Sequence, residues 1–218
     1  MRAAAAKKRA TPPRRIVVTR DARGAEQLEL DGPPAEGVSS VVMMAWERPY
    51  MEAVVQALEI RTTDSVLEVG YGLGFSAAAI RERRPRAHVV VECDATVASR
   101  CRAAAPGVEL LEATWQDALA GAVARAPFDV AFFDDFPIVA TPARGSRWRA
   151  FLEAVEPHLA ASARVSGYVA DADRLRAALP PGFALEACAP FSTAVPADCP
   201  YVGDGDGCFV CVVRFGRR

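Results

Sequence analysis

The residues best suited to chemistry fall into a few short runs. Gly70-Tyr71-Gly72-Leu73-Gly74 follows the strand-like stretch Ser65–Val69 and opens a helix. Glycines there allow a tight turn and close approach of the backbone to a ligand, and free N–H groups at a helix start can face a bound group. Alone, such a run fits a pyrophosphate or any cofactor portion that needs amide contacts. Its third glycine arrives one residue too early for the dinucleotide pattern GxGxxG/A, and the phosphate loop GxxxxGK[ST] is missing from the sequence. Glu68 sits inside the motif, and Glu92 lies 22 residues beyond Gly70 at the end of the next strand-like segment. A carboxylate there can accept hydrogen bonds from both hydroxyls of a ribose, which points to an adenosine-bearing cofactor. Asp94 is an alternative ribose ligand or a helix cap. Trp115, with Gln116 and Asp117, reads either as one wall of an adenine site or as core.

Two further carboxylates stand out. Glu47 lies in Val42-Met43-Met44-Ala45-Trp46-Glu47-Arg48-Pro49-Tyr50-Met51. Beside a proline suited to a first helical turn, it also reads as a helix-terminal acid favoured by the dipole, with the methionines and aromatics as core. Asp134, next to Asp135, ends the most hydrophobic strand, Phe128–Phe133. In open α/β sheets that edge hosts ligands, so an acid there outweighs an ordinary surface acid.

The elements that must position these groups alternate. The spacing predicts a helix over Trp46–Leu58, then strand Ser65–Val69, helix Gly74–Arg83, strand His88–Cys93, helix Ala95–Ala104, strand Val108–Leu111, helix Gln116–Val123 and strand Phe128–Phe133. The second half predicts helix Trp148–Glu156, strand Arg164–Val169, helix Asp173–Leu179 and terminal strands Phe183–Ala189 and Cys208–Phe215, placed to pair as an antiparallel edge. Strands with almost no polar alternation, separated by helices, imply a parallel sheet covered on both faces. The class is α/β, three-layer and Rossmann-like, with a mostly parallel seven-stranded sheet over residues 41–218. Residues 1–40 read as a tail and active-site lid, with breakers at Gly32, Pro33, Pro34 and Gly37.

The chain has 218 residues and a formal net charge of -1, from 26 Lys plus Arg against 27 Asp plus Glu, which disfavours non-specific polyanion or membrane binding. Six cysteines without a short regular framework predict a reduced, intracellular, cytoplasmic protein, with Cys208 and Cys211 as buried thiols of a terminal strand. Two histidines, His88 and His158, lack ligand spacing, so no metal site is expected. No apolar run is long enough to span a membrane, and the basic, alanine-rich first fifteen residues read as a disordered tail.

The blocks VMMAWERPYMEA, LEVGYGLG, VVECD, ATWQD, FDVAFFDDFP and VPADCPY, in this order from about Val41 to Tyr201, resemble the guanidinoacetate N-methyltransferase family, which includes related arginine-directed enzymes. The resemblance implies a class I methyltransferase fold and S-adenosylmethionine as cofactor, with a guanidino nitrogen as methyl acceptor. It implies a cofactor site of Glu68, Gly70, Gly72, Gly74, Glu92, Trp115, Gln116, Met44 and Met51, and a substrate site of Glu47, Asp134, Trp46 and Tyr168. The family often has an acid at the position of Gln116 and a neutral residue at that of Asp135. A guanidinium is a planar fork of donors that pairs with carboxylates, so two acids can fix which nitrogen faces the methyl group. That nitrogen must also lose a proton, which makes Asp134 the general base and Glu47 the clamp.

In the family the loop after the fifth strand receives the substrate carboxylate. Val165–Asp171 departs from that pattern, so an arginine-derived metabolite or natural-product intermediate is the expected acceptor. Guanidinoacetate, giving creatine, and free or peptide arginine are the alternatives. A nicotinamide-dependent oxidoreductase and a non-enzymatic cofactor binder are the rival classes. The resemblance is compatible with a homodimer.

Overall fold

The computed structural model describes residues 15–32, 39–121, 123, 125–136, 144–202 and 208–217, without the side chains of 144–146. The basic tail before Arg15 therefore lies outside the described residues. Strands β4 (Ser65–Val69), β5 (Ala87–Val91), β6 (Glu109–Leu111), β7 (Phe128–Phe133), β8 (Leu159–Gly167), β9 (Phe183–Phe191) and β10 (Cys208–Gly216) form one sheet in the order β6-β5-β4-β7-β8-β10-β9. The pairs from β6 to β8 are parallel, and β10 enters antiparallel between β8 and β9. The expected antiparallel edge is thus present, with the last strand wedged inside it.

Helices cover both faces because the central strands are apolar on both. From β7, Phe128, Ala131 and Phe133 face the side that holds α4 (Trp115–Ala120), α5 (Arg144–Val155) and α6 (Ala172–Ala178). Val130 and Phe132 face the opposite side, with α1 (Arg48–Ala57), α2 (Phe75–Glu82) and α3 (Ala95–Ala104). The helix expected to start at Trp46 begins instead with a 3-10 turn, Ala45–Glu47, before Pro49 sets the first α-helical turn. α4 stops at Ala120 because Gly121 leaves helical geometry.

The segment before Val41 forms more structure than its breakers suggest. β1 (Ile16–Arg20), β2 (Glu26–Leu30) and β3 (Val41–Met44) make a separate antiparallel meander. Ile16, Leu28, Leu30 and Met43 are buried in the same apolar cluster as Tyr71, Leu73, Phe75 and Val97. Arg100 on α3 makes a two-point ion pair with Glu26, and the Ile16 N–H donates to Asp94 Oδ2 at 3.0 Å.

The cysteine expectation needs correction at one pair. Cys211 is opposite Cys188 across β9–β10, and the two are joined as a disulfide, so Cys211 is not a free thiol partnered in sequence with Cys208. Cys93, Cys101, Cys199 and Cys208 are free.

Candidate active site

The parallel strands bring the chemical groups to one sheet edge. Gly70 directly follows β4 and Asp134 directly follows β7, and Asp134 N–H donates to the Val69 carbonyl at 3.0 Å. Gly70 has φ +83°, and a Cβ there would collide with the Asp134 carbonyl oxygen. Only glycine fits a left-handed residue against that backbone. The turn and the acid are therefore mechanically one unit. Gly74, also left-handed, caps α2 under the Tyr71 ring.

Glu92 follows β5. One carboxylate oxygen accepts from Tyr71 N–H at 3.0 Å and the other from Asp94 N–H at 2.7 Å. A carboxylate has about four acceptor sites, so each oxygen keeps capacity for a further donor such as a ribose hydroxyl. Burial pushes its pKa up against those two bonds. Asp94 has a different duty: Oδ1 caps α3 through Thr96 and Val97 N–H, and Oδ2 holds Ile16.

Glu68, expected at the cofactor, has both carboxylate oxygens engaged by protein groups. It is 0% exposed, with Ser76 Oγ–H donating to Oε1 at 2.5 Å and His88 Nε2 2.7 Å from Oε2. Its carboxylate ties β4 to α2 and β5. Met44 and Met51 are likewise buried. The methionine that reaches the turn is Met43, whose sulfur accepts from Leu73 N–H at 3.1 Å and packs where a Cβ of Gly72 would fall. A reading by residue type could not choose between adjacent methionines, because the choice depends on which face of β3 meets the turn.

Trp115 sits edge-on to Phe133 and Phe151, while its Nε1–H donates to Asp135 Oδ2 at 2.6 Å. Asp135 also pairs with Arg147 of α5. The two acids at 134 and 135 thus diverge, one held by an indole and a guanidinium. Gln116 is exposed at the start of α4.

Glu47 is 4% exposed. Its Oε1 accepts from Met44 N–H at 2.8 Å and from Tyr201 O–H at 2.6 Å. Burial raises its pKa from the ordinary carboxylate value to about 7, against the pull of those two donors. Asp134 is raised well above its ordinary value, first by burial and then by the negative charge of Glu47. Glu47 is therefore basic enough to hold a proton near neutral pH, and a cation nearby would favour the ionised forms of both acids.

Trp46 stacks on Tyr201 with ring centroids 6.2 Å apart. Tyr168 lies edge-on to Tyr50, whose hydroxyl donates to the Phe209 carbonyl at 2.9 Å and accepts from Val169 N–H at 3.0 Å. Tyr50 so bolts α1 to β10 and to the segment after β8. Tyr201 and Tyr50 join the candidate site by contacts that spacing alone does not reveal, since Tyr201 reaches Glu47 from 154 positions away.

A sheet with glycine turn, terminal acid and buried Glu47 is matched by the family model for guanidinoacetate N-methyltransferase over residues 28–170. The chain belongs to this family. The family is one of methyltransferases, and S-adenosylmethionine is the cofactor it implies. The residues fit that group in that Glu92, beside the turn, retains acceptor capacity.

The chain is 35% identical over 100 residues to protein arginine N-methyltransferase 2 of Aspergillus fumigatus, covering 44% of this chain and 24% of that protein. It is 36% identical over 100 residues to the enzyme of the same name in Emericella nidulans, with the same coverages. The chain thus spans about a quarter of the length of the curated relatives it matches. Among solved structures, spermidine synthase from Thermotoga maritima superposes with a TM-score of 0.64 at 16% identity, over 94% of this chain and 71% of that one. TrmN from Thermus thermophilus gives 0.59 at 19%, over 80% and 49%. Both likenesses show the fold. Among the described residues, no helix is long and apolar enough to cross a membrane, and no His/Cys/Asp/Glu group could hold a metal ion.

Proposed function

We propose that this methyltransferase acts on a guanidino nitrogen of a small, arginine-derived molecule. The observation that carries the reading is the pair of buried carboxyls, Glu47 and Asp134, each with a pKa raised by burial and electrostatically coupled beside the Gly70 turn. A guanidinium matches two acids by its fork of donors and its fixed charge. The family and the names of the fungal relatives support the same acceptor group.

When bound, S-adenosylmethionine supplies an electrophilic methyl group on a sulfonium. Gly70, Gly72 and Gly74 shape the turn that borders it, Glu92 takes the ribose hydroxyls, and Trp115 with Gln116 flanks the adenine. Met43 backs the turn. Glu47, fixed by Tyr201 and Met44, clamps one edge of the guanidinium. Asp134 accepts the proton that must leave the attacking nitrogen, since a free guanidinium holds it with a pKa above ~12. Residues 1–40 serve as the cover that keeps water out during transfer.

The test is incubation with S-adenosylmethionine and a panel of guanidinoacetate, free arginine, arginine-derived guanidines and an arginine peptide, read as a mass gain of one methyl group. Methylation of a guanidine supports the reading, and transfer only to non-guanidine acceptors overturns it. Asp134→Asn is expected to lower kcat about 100-fold or more with cofactor affinity largely kept, and a fully active variant removes the assignment of the base. Removing residues 1–14 alone is expected to slow turnover at unchanged melting temperature, and unchanged turnover would exclude that stretch from the cover.

A further inference from the structure

The acid proposed as base is flanked in the chain by two residues that one helix grips. Phe133, which precedes Asp134, stacks on Phe151 of α5 with ring centroids 4.1 Å apart and meets Trp148 of the same helix at 5.1 Å. Asp135, which follows Asp134, is held by Arg147 of α5: Nε–H donates to Oδ1 at 3.1 Å, and Nη2 pairs with Oδ2. Trp115, at the start of α4, donates to the same Oδ2 at 2.6 Å. We infer that Arg147 is a positioning residue for Asp134, acting through Asp135 to hold the end of β7 and to compensate the charge that lies beside the acid. This rests on the proposed role of Asp134 as proton acceptor and deepens it.

The charged and titratable groups that bear on Asp134 are Glu47 before α1, Glu68 on β4, Glu92 after β5 and its neighbour Asp135, together with the phenols of Tyr50 and Tyr168. Each of the four carboxyls, when ionised, disfavours the ionised form of Asp134. They are held in different ways. Glu47 accepts from Tyr201 and the Met44 amide, Glu92 from the amides of Tyr71 and Asp94, and Glu68 is tied to Ser76 and His88. Asp135 is met by a guanidinium. The Trp115 indole alone would satisfy a hydrogen bond of that carboxylate but, being neutral, would leave its charge in place. Arginine stays charged across the working pH range, and its fork grips a carboxylate at two points, so it fixes position and charge together. The side chains of Arg147 and Asp135 are only 17% and 15% exposed, so solvent screens them weakly.

The test reads Asp134 itself. The carboxyl carbons of aspartate are isotope-labelled in the full-length chain and followed by NMR as pH is varied, with the Asp134 signal identified by its loss in Asp134→Asn. Arg147→Gln leaves Asp135 uncompensated, and the titration midpoint of Asp134 is expected to rise by about half a unit or more. Asp135→Asn keeps an acceptor for the Trp115 indole and leaves the positive charge of Arg147, so the midpoint is expected to fall by a similar amount. The double variant should return close to the parent, and Arg147→Lys, which keeps the charge, should stay close to it. A pair with a structural role alone would move both single variants in the same direction or leave both unmoved, and either result overturns the inference. If Arg147→Gln does not fold, Asp135→Asn decides: a lowered midpoint supports the inference, and an unmoved or raised one overturns it. None of these readings needs a methyl acceptor. If the midpoints move as stated while methyl transfer is indifferent to Asp134→Asn, the link from Arg147 to Asp134 stands and the assignment of the base falls.

Discussion

At the scale of single residues, the site works by making carboxyls poorly solvated. Tyr201 moderates this at Glu47: its O–H donates to the carboxylate and so lowers a pKa that burial holds at about 7. Tyr201→Phe removes that donor and should push the acidic limb of the kcat/KM profile upward by roughly one unit, because the free enzyme must ionise Glu47 to clamp a cation. An unmoved limb, read from the pH profile, would detach Glu47 from it. The same shift affects stability. A folded pKa above the ordinary value gives stability that is present below the usual carboxylate range and lost as pH rises through about 7. Glu47→Gln removes the ionisation, so its unfolding free energy should gain on the parent between pH 5 and pH 8, by up to about 3 kcal/mol at the upper end, read by denaturant unfolding at each pH. Activity should fall at the same time. A constant difference across that range would mean that Glu47 is not the buried titrating group.

At the scale of elements, the glycine turn and the end of β7 form one part. Gly70→Ala sets a Cβ against the Asp134 carbonyl at a left-handed residue, so it must displace the turn or the strand. Gly107 is a suitable comparison, with φ +89° and open space around it. Both substitutions bring backbone strain of about 1 kcal/mol, but only Gly70→Ala should weaken cofactor binding and turnover, by about 100-fold in kcat/KM. Equal activities would show that the contact is tolerated. These elements were legible in the sequence because β4, β5 and β7 are apolar on both faces, so periodicity and the turn glycines agree. The partners of buried polar groups were not. Glu68 belongs to the motif by position, yet Ser76 and His88 hold its carboxylate, and no spacing rule says which side of β4 it faces. Sequence position does not decide between adenine wall and core for Trp115 for a similar reason: its neighbours Phe133 and Phe151 come from other elements.

At the scale of the whole molecule, the meander before α1 was the part least legible in advance. β1 and β2 are five residues each, with charges and breakers around them, and they become strands by pairing with each other and with β3 and by burying Ile16, Leu28 and Leu30. That burial is tertiary and leaves only a weak local signal. The meander leads directly into the site: β3 brings Met43 to the glycine turn, and the next turn carries Glu47. Loosening it should therefore act on cofactor affinity as well as on stability. Leu28→Ala creates a cavity beneath β3, whereas Leu159→Ala creates one at the start of β8, at the opposite end of the sheet from Asp134. Each should cost about 2–5 kcal/mol of stability. By calorimetric titration below both melting temperatures, only Leu28→Ala should weaken S-adenosylmethionine, by about tenfold. An equal loss in the two variants would assign the effect to general destabilisation, and no loss in either would make the meander a support for α3 alone.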